Sequence, residues 1–135
     1  HLFCVMRADD RPNEAGISGS CYFDGEVPEG GSIHGGLHRR EMNNLLALGG
    51  SAFHERRIVA SPAGIIDVAP TVLHLLGLPV PAPMQGRVLA EALPGAPAAS
   101  EPEFSTVELA APHGTMTLKR ARVGTTEYVV SGWVG

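Results

Sequence analysis

The sequence predicts an α/β fold of short strands, one capped helix and a C-terminal β-hairpin. Three observations carry this expectation. Short apolar runs are bounded by turn-forming residues. The stretch from Asp67 to Leu76 is marked as a helix at both ends. Beyond residue 103, runs of β-type composition are separated by Gly124-Thr125-Thr126.

Taken in order, residues 2–7 read as a short buried strand that stops at Arg7-Ala8-Asp9-Asp10. Residues 8–36 are rich in Gly, Pro, Asn and Asp and read as a long loop, a length associated with function or disorder. Tyr22 and Phe23 are expected to anchor part of it. Arg39 to Asn44 is compatible with a short helix. Leu45-Leu46-Ala47-Leu48 before Gly49-Gly50 reads as a buried strand, and Ile58-Val59-Ala60 as another.

The helix from Asp67 to Leu76 is the clearest element. Asp67 is placed to act as N-cap, accepting from exposed backbone N–H groups. Pro70 falls in the first turn, where its missing N–H breaks no intrahelical bond. Val68, Val72, Leu75 and Leu76 share one broad face, and Gly77 with Pro79 supplies the stop. Gly86 to Leu93 adds a turn or short helix, and the Pro- and Ala-rich residues 94–102 read as a spacer. Residues 105–109, 115–123 and 127–130 read as strands, the last two as a hairpin.

Composition narrows the function classes. The 135 residues, 44% hydrophobic and 18% charged, suit one globular domain. A net charge of −4 leaves no basic footprint, so nucleic acid is not an expected partner. No apolar run approaches the ~18 residues of a membrane span. The first residues are apolar, lack a basic leader and do not begin with Met, so the chain is expected to be a fragment or a processed piece. Cys4 and Cys21 have no CxxC spacing and read as two buried thiols, although one disulfide is arithmetically open.

His34 is the leading candidate for chemistry. It lies in Gly30-Gly31-Ser32-Ile33-His34-Gly35-Gly36, a run of small residues that lets an imidazole project into a crowded polar site. A neutral imidazole so placed suits zinc, and the plain alternative is a surface histidine. His38 follows at i+4, but the intervening glycines disfavour a two-histidine helix, so it reads as a solvated side chain at a helix start. Asp9-Asp10 read as metal-binding carboxylates at a strand end or, more simply, as a solvated turn. His74 reads as a helix-surface or core histidine, and His54 and His113 have no partner spacing.

Together these segments resemble the alkaline phosphatase superfamily, most nearly its type I phosphodiesterase/nucleotide pyrophosphatase branch. Met6-Arg7-Ala8-Asp9-Asp10-Arg11-Pro12-Asn13-Glu14-Ala15-Gly16 is similar to the strand and loop before that branch's last metal ligand. Ile33-His34-Gly35-Gly36 resembles its Thr-His-Gly-Ser/Gly loop, with Ile33 in place of the usual Thr. Arg40-Glu41-Met42-Asn43-Asn44 and Leu46 to Phe53 continue it. Asp67-Val68-Ala69-Pro70-Thr71-Val72-Leu73 is similar to the Asp-x-Ala-Pro-Thr helix of phosphodiesterases and sulfatases, and Gln85-Gly86-Arg87-Val88-Leu89 to the Gly-Arg segment after it. The resemblance covers residues 3–93, and its specificity lies in the order and spacing of the segments.

The resemblance implies the C-terminal part of an alkaline-phosphatase-like α/β sandwich. Residues 1–93 would belong to the hydrolase core, 94–102 to a linker, and 103–135 to a β-hairpin extension of the same domain. It further implies two divalent metal ions, zinc in this branch, that flank a Ser or Thr nucleophile. The nucleophile attacks phosphorus and forms a covalent phospho-enzyme that water hydrolyses. His34 matches the late histidine that binds one metal, and no residue here matches a catalytic role. The nucleophile and the other ligands lie upstream in the family. The expected partners are therefore a small-molecule phosphate ester and the upstream remainder of the same polypeptide, and this chain alone is expected to be inactive. Two alternatives stand beside this one: a fragment of a sulfatase-type sulfuric ester hydrolase, and a non-catalytic binding or structural module.

Overall fold

The computed structural model describes residues 8–21, 25–28, 31, 34–112 and 114–135. The predicted strand over 2–7, the anchors Tyr22 and Phe23, the thiols, His113, and Gly30, Ser32 and Ile33 of the histidine loop lie outside the described residues. The element order is β1 (Ala8–Asp9), β2 (Ser20–Cys21), α1 (Arg39–Met42), α2 (Val68–Leu75), β3 (Glu103–Ala111), β4 (Gly114–Val123) and β5 (Thr126–Val134). The architecture is mixed: a three-stranded antiparallel sheet in the order β3-β4-β5, a two-stranded ladder of β1 and β2, and few helices.

By compactness the chain divides into two units. One comprises His1–Asn44, Ser105–Arg120 and Val129–Gly135, and the other Leu45–Phe104 and Ala121–Tyr128. In the first unit, β1 and β2 pair antiparallel with Ala8 opposite Cys21 and Asp9 opposite Ser20. The Gly132 N–H donates to the Leu37 carbonyl at 2.7 Å, which ties β5 to the segment before α1. The Gly132 backbone also lies against the Leu37 side chain, where a Cβ would sit 3.2 Å from it.

The second unit holds the buried apolar side chains of the described residues: Leu89, Leu93, Ala121, Val123 and Tyr128. β4 turns into β5 through Gly124-Thr125, with Gly124 at φ 60°, a conformation suited to a two-residue hairpin turn. From Thr126 to Tyr128 burial alternates residue by residue, so Tyr128 faces inward.

Helix α2 starts later than its sequence signal. Residues Ile65–Asp67 form a 3-10 turn and the α-helix runs from Val68 to Leu75. Asp67 stands at the expected N-cap position of α2, but its side chain makes no capping bond to that helix. Its carboxylate reaches back to the Gly64 N–H at 2.8 Å, as a capping box does from the third position of a turn. The C-terminal stop is as expected. Gly77 has φ 67°, its N–H donates to the His74 carbonyl, and the Leu78 N–H donates to the Leu73 carbonyl. These bonds are those of a Schellman ending.

Two strand expectations fail. Residues 45–48 and 58–60 have no regular structure, and Leu45 and Ile58 are 93% and 98% exposed. An apolar tetrapeptide becomes a strand only when an edge pairs with it. Among the described residues no strand does so for either segment.

Candidate functional site

The two places that sequence reasoning marks, the His34 loop and the Asp67 helix, differ in kind. His34 is exposed and makes no hydrogen bond with the described residues. The loop after it is shaped by α1. Gly35 adopts φ 111°, and the Glu41 carboxylate packs against Gly36 where any Cβ would stand. Glu41 Oε1 accepts the Gly36 N–H at 3.2 Å. Its Oε2 is buried with no hydrogen-bond partner among the described residues, which leaves an acceptor beneath the loop.

His38 is the N-cap of α1, as its position at a helix start predicts, but it is buried and not solvated. Its Nδ1 accepts the Arg40 N–H at 3.3 Å and its Nε2 lies 3.0 Å from Asp10 Oδ1. An accepting Nδ1 places the ring proton on Nε2, which donates to the Asp10 carboxylate. With both nitrogens engaged, His38 is neither a free base nor an open metal ligand. Asp10 also takes Arg39 at 3.3 Å. The His38 hydrogen bond holds the Asp10 carboxyl below its usual range against desolvation, with Arg39 adding to the lowering. Asp9 is gripped by Arg11, with Nη2 at 2.6 Å from Oδ2 and Nε at 2.9 Å. Both aspartates of the pair are thus held by side chains of the same unit.

Zinc catalysis needs about three protein ligands with an open position. Among the described residues no group of three or more His, Cys, Asp or Glu side chains is arranged to hold a metal ion. The exposed imidazole of His34 fits one ligand of a metal and not a complete set.

The most ordered polar cluster lies around Asp67, fully buried at 0% exposure. Asp67 Oδ1 accepts the Arg87 N–H at 2.8 Å, and Oδ2 accepts the Gly64 N–H at 2.8 Å and the Tyr128 hydroxyl at 2.9 Å. The Arg87 guanidinium donates to both oxygens of Glu91 at 2.7 and 2.8 Å, to the Pro62 carbonyl at 2.9 Å and, through Nε, to the Tyr128 hydroxyl at 2.9 Å. Thr71 links the same region, donating to the Asp67 carbonyl at 2.7 Å and accepting the Leu89 N–H at 3.0 Å. Gly86 is required by close approach, since a Cβ there would collide with the Ile66 carbonyl.

The electrostatics follow from this cage. Burial pushes the Glu91 carboxyl up, but the Arg87 hydrogen bond, its own backbone N–H and the charges of Arg87 and Arg57 outweigh it and leave a net lowering. The Glu91 hydrogen bond raises the Arg87 pKa above its ordinary value. Tyr128 is pushed up to about 12, first by burial and then by its bond to Asp67, with Arg87 opposing. Every buried charge here has a partner, so the cluster braces α2, the segment after it and β5 within this unit. It leaves no group free to take up a proton or a ligand.

Sequence reading missed Glu91 and Tyr128. The i,i+4 spacing of Arg87 and Glu91 is a visible signal of an ion pair. Tyr128 has no local signal, because it meets Asp67 across 61 residues. His74 is exposed on α2, and His54 contributes only its backbone N–H, to the Ala92 carbonyl at 2.9 Å. No helix among the described residues is long and apolar enough to cross a membrane. Comparison of the chain with known protein families, with curated proteins and with solved structures returns no match.

Proposed function

We propose that this chain is the C-terminal part of a metal-dependent phosphoesterase of the phosphodiesterase/nucleotide pyrophosphatase type, with His34 as a metal ligand. The observation that carries the reading is the order and spacing of the His34 loop, the Asp67 helix and the Gly86-Arg87 segment. The contact between the last two supports it. Asp67 accepts the Arg87 N–H, and Gly86 passes the Ile66 carbonyl with no room for a side chain, so these residue types have a physical reason to occur together.

In this reading His34 presents its imidazole from a loop whose path is set by Glu41 at Gly36. His38, tied to Asp10, holds the start of α1 and with it the end of that loop. The metal pair, when bound, supplies Lewis-acid stabilisation of the attacking and leaving oxygens. The Ser or Thr nucleophile and the remaining ligands come from upstream residues.

The test uses the full-length protein. It is expected to hydrolyse bis(p-nitrophenyl) phosphate in preference to p-nitrophenyl sulfate, and His34→Ala is expected to reduce its zinc content. Preference for the sulfate ester assigns the sulfatase chemistry. Zinc content unchanged in His34→Ala removes His34 from the ligand set.

A further inference from the structure

Residues 55–60 place two adjacent cations, Arg56 and Arg57, on open backbone. Every residue of the segment is exposed, Ile58 at 98%. Residues 57–60 have no regular structure, and the backbone of Ile58, Val59 and Ala60 makes no hydrogen bond with the described residues. Arg56 has φ 52°, the one positive φ of a described residue other than glycine. That conformation is unfavourable for a residue with a Cβ, so drawing the segment out straight relieves strain.

Both flanks are tied down. The His54 N–H donates to the Ala92 carbonyl at 2.9 Å. On the other side the Pro62 carbonyl accepts from Arg87 at 2.9 Å, and the Gly64 N–H donates to Asp67 at 2.8 Å. All these residues belong to one compact unit. The segment is open while its surroundings stay folded.

An endopeptidase takes its substrate as an added strand and seats the side chain before the scissile bond in a specificity pocket. A pocket that holds a carboxylate selects Arg. Backbone already bonded within a helix or a central strand is closed to such an enzyme. This sets aside Arg39 and Arg40 in α1, and Lys119, Arg120 and Arg122 in β4, the middle strand of its sheet. Arg87 is held in the Asp67 cage. Arg11 is exposed, but Pro12 follows it, and its ring stands where the leaving N–H must fit. Of the described Lys and Arg residues, Arg56 and Arg57 remain.

We propose that residues 55–60 are a processing site for an endopeptidase with an acidic specificity pocket, which cuts the Arg57–Ile58 bond. Water adds to the Arg57 carbonyl carbon and the C–N bond breaks. Arg57 gains a carboxylate, and the Ile58 nitrogen leaves as an amine that takes the proton. Arg57 fills the pocket, and Arg56 adds a second cation on the same side of the bond. The bonds from His54 to Ala92 and from Gly132 to Leu37 bridge the cut and hold the two pieces as one nicked molecule. This site stands whether or not the protein is a phosphoesterase.

The experiment is limited digestion of the native full-length protein with trypsin, with the new termini followed by mass spectrometry. The piece beginning at Ile58 is expected to form at least about 10-fold faster than pieces cut after Arg40, Lys119 or Arg122, whose release requires local unfolding. The double variant Arg56→Gln/Arg57→Gln is expected to abolish cleavage within residues 55–60 and to leave the urea midpoint nearly unchanged, because both side chains are exposed. On gel filtration the nicked protein is expected to elute with the intact one and to separate in denaturant. No cut within residues 55–60, equal rates at Arg40 or in β4, or cleavage that persists in the double variant overturns the proposal. Pieces that separate without denaturant overturn the nicked product and assign the site to degradation.

Discussion

At the scale of single residues, Asp67 shows how a buried charge is made tolerable. Three donors converge on its carboxylate, from Gly64, Arg87 and Tyr128. Removing such a partner leaves buried N–H groups unsatisfied, which costs more than the net value of the bonds. Asp67→Ala is expected to lower unfolding free energy by about 3 kcal/mol, read from the urea midpoint in dilute solution. Tyr128→Phe is the milder probe, at about 1 kcal/mol. It has a pH signature as well. The folded-state pKa of Tyr128 is raised to about 12 from its ordinary value of 10.0. Its contribution is fully present below the unfolded value and is lost as pH rises towards the folded one, because only the unfolded chain releases the proton in that window. The alkaline fall in the urea midpoint is therefore expected to be smaller in Tyr128→Phe than in the wild type, and equal falls would count against the cage.

At the scale of elements, backbone approach decides as much as propensity. Gly86→Ala places a methyl against the Ile66 carbonyl, which neither flexes away nor changes rotamer. The expected cost is about 2 kcal/mol, measured by urea unfolding. Gly77→Ala is the matched comparison, because a Cβ there meets nothing within 4 Å and only the positive φ opposes it. Its expected cost is about 1 kcal/mol. The ends of α2 show what was legible in advance. The Gly77 stop is a local backbone device, so it could be read from four or five residues. The Asp67 cap looked equally local, yet its carboxylate turned to more distant donors. Leu45 to Leu48 and Ile58 to Ala60 read as strands by composition, but pairing depends on an edge that no short apolar run encodes.

At the scale of the molecule, burial is uneven. The buried apolar side chains among the described residues all belong to the unit made of Leu45–Phe104 and Ala121–Tyr128. Large apolar side chains such as Leu45, Ile58, Ile65, Leu76 and Leu109 remain exposed. Strand β3 is an edge of its sheet and is exposed along nearly its whole length. Exposed apolar faces and open strand edges favour association. The 135-residue chain by itself is expected to associate as concentration rises, and sedimentation that stays monomeric throughout would show that these surfaces are tolerated in water. The His34 loop belongs to the same scale. Its glycines marked it in the sequence, but the Glu41 carboxylate that excludes a side chain at Gly36 is a contact from the following helix.

The sequence by itself determined the mixed α/β class, the C-terminal hairpin, the C-terminal ending of the Val68–Leu75 helix and the net charge of −4. Each rests on composition or on patterns a few residues long, where backbone geometry and side-chain period act directly. Tertiary structure alone decided which side of α2 is buried, that Asp67 braces an arginine–tyrosine cage, and that His38 is sealed against Asp10 while His34 stays exposed. Periodicity shows that a helix has an apolar side but not what lies against the other one. The bonds from Asp67 to Arg87 and Tyr128 span 20 and 61 residues and leave no local mark. Donor satisfaction in the interior outweighed the simple rule that the apolar face turns inward.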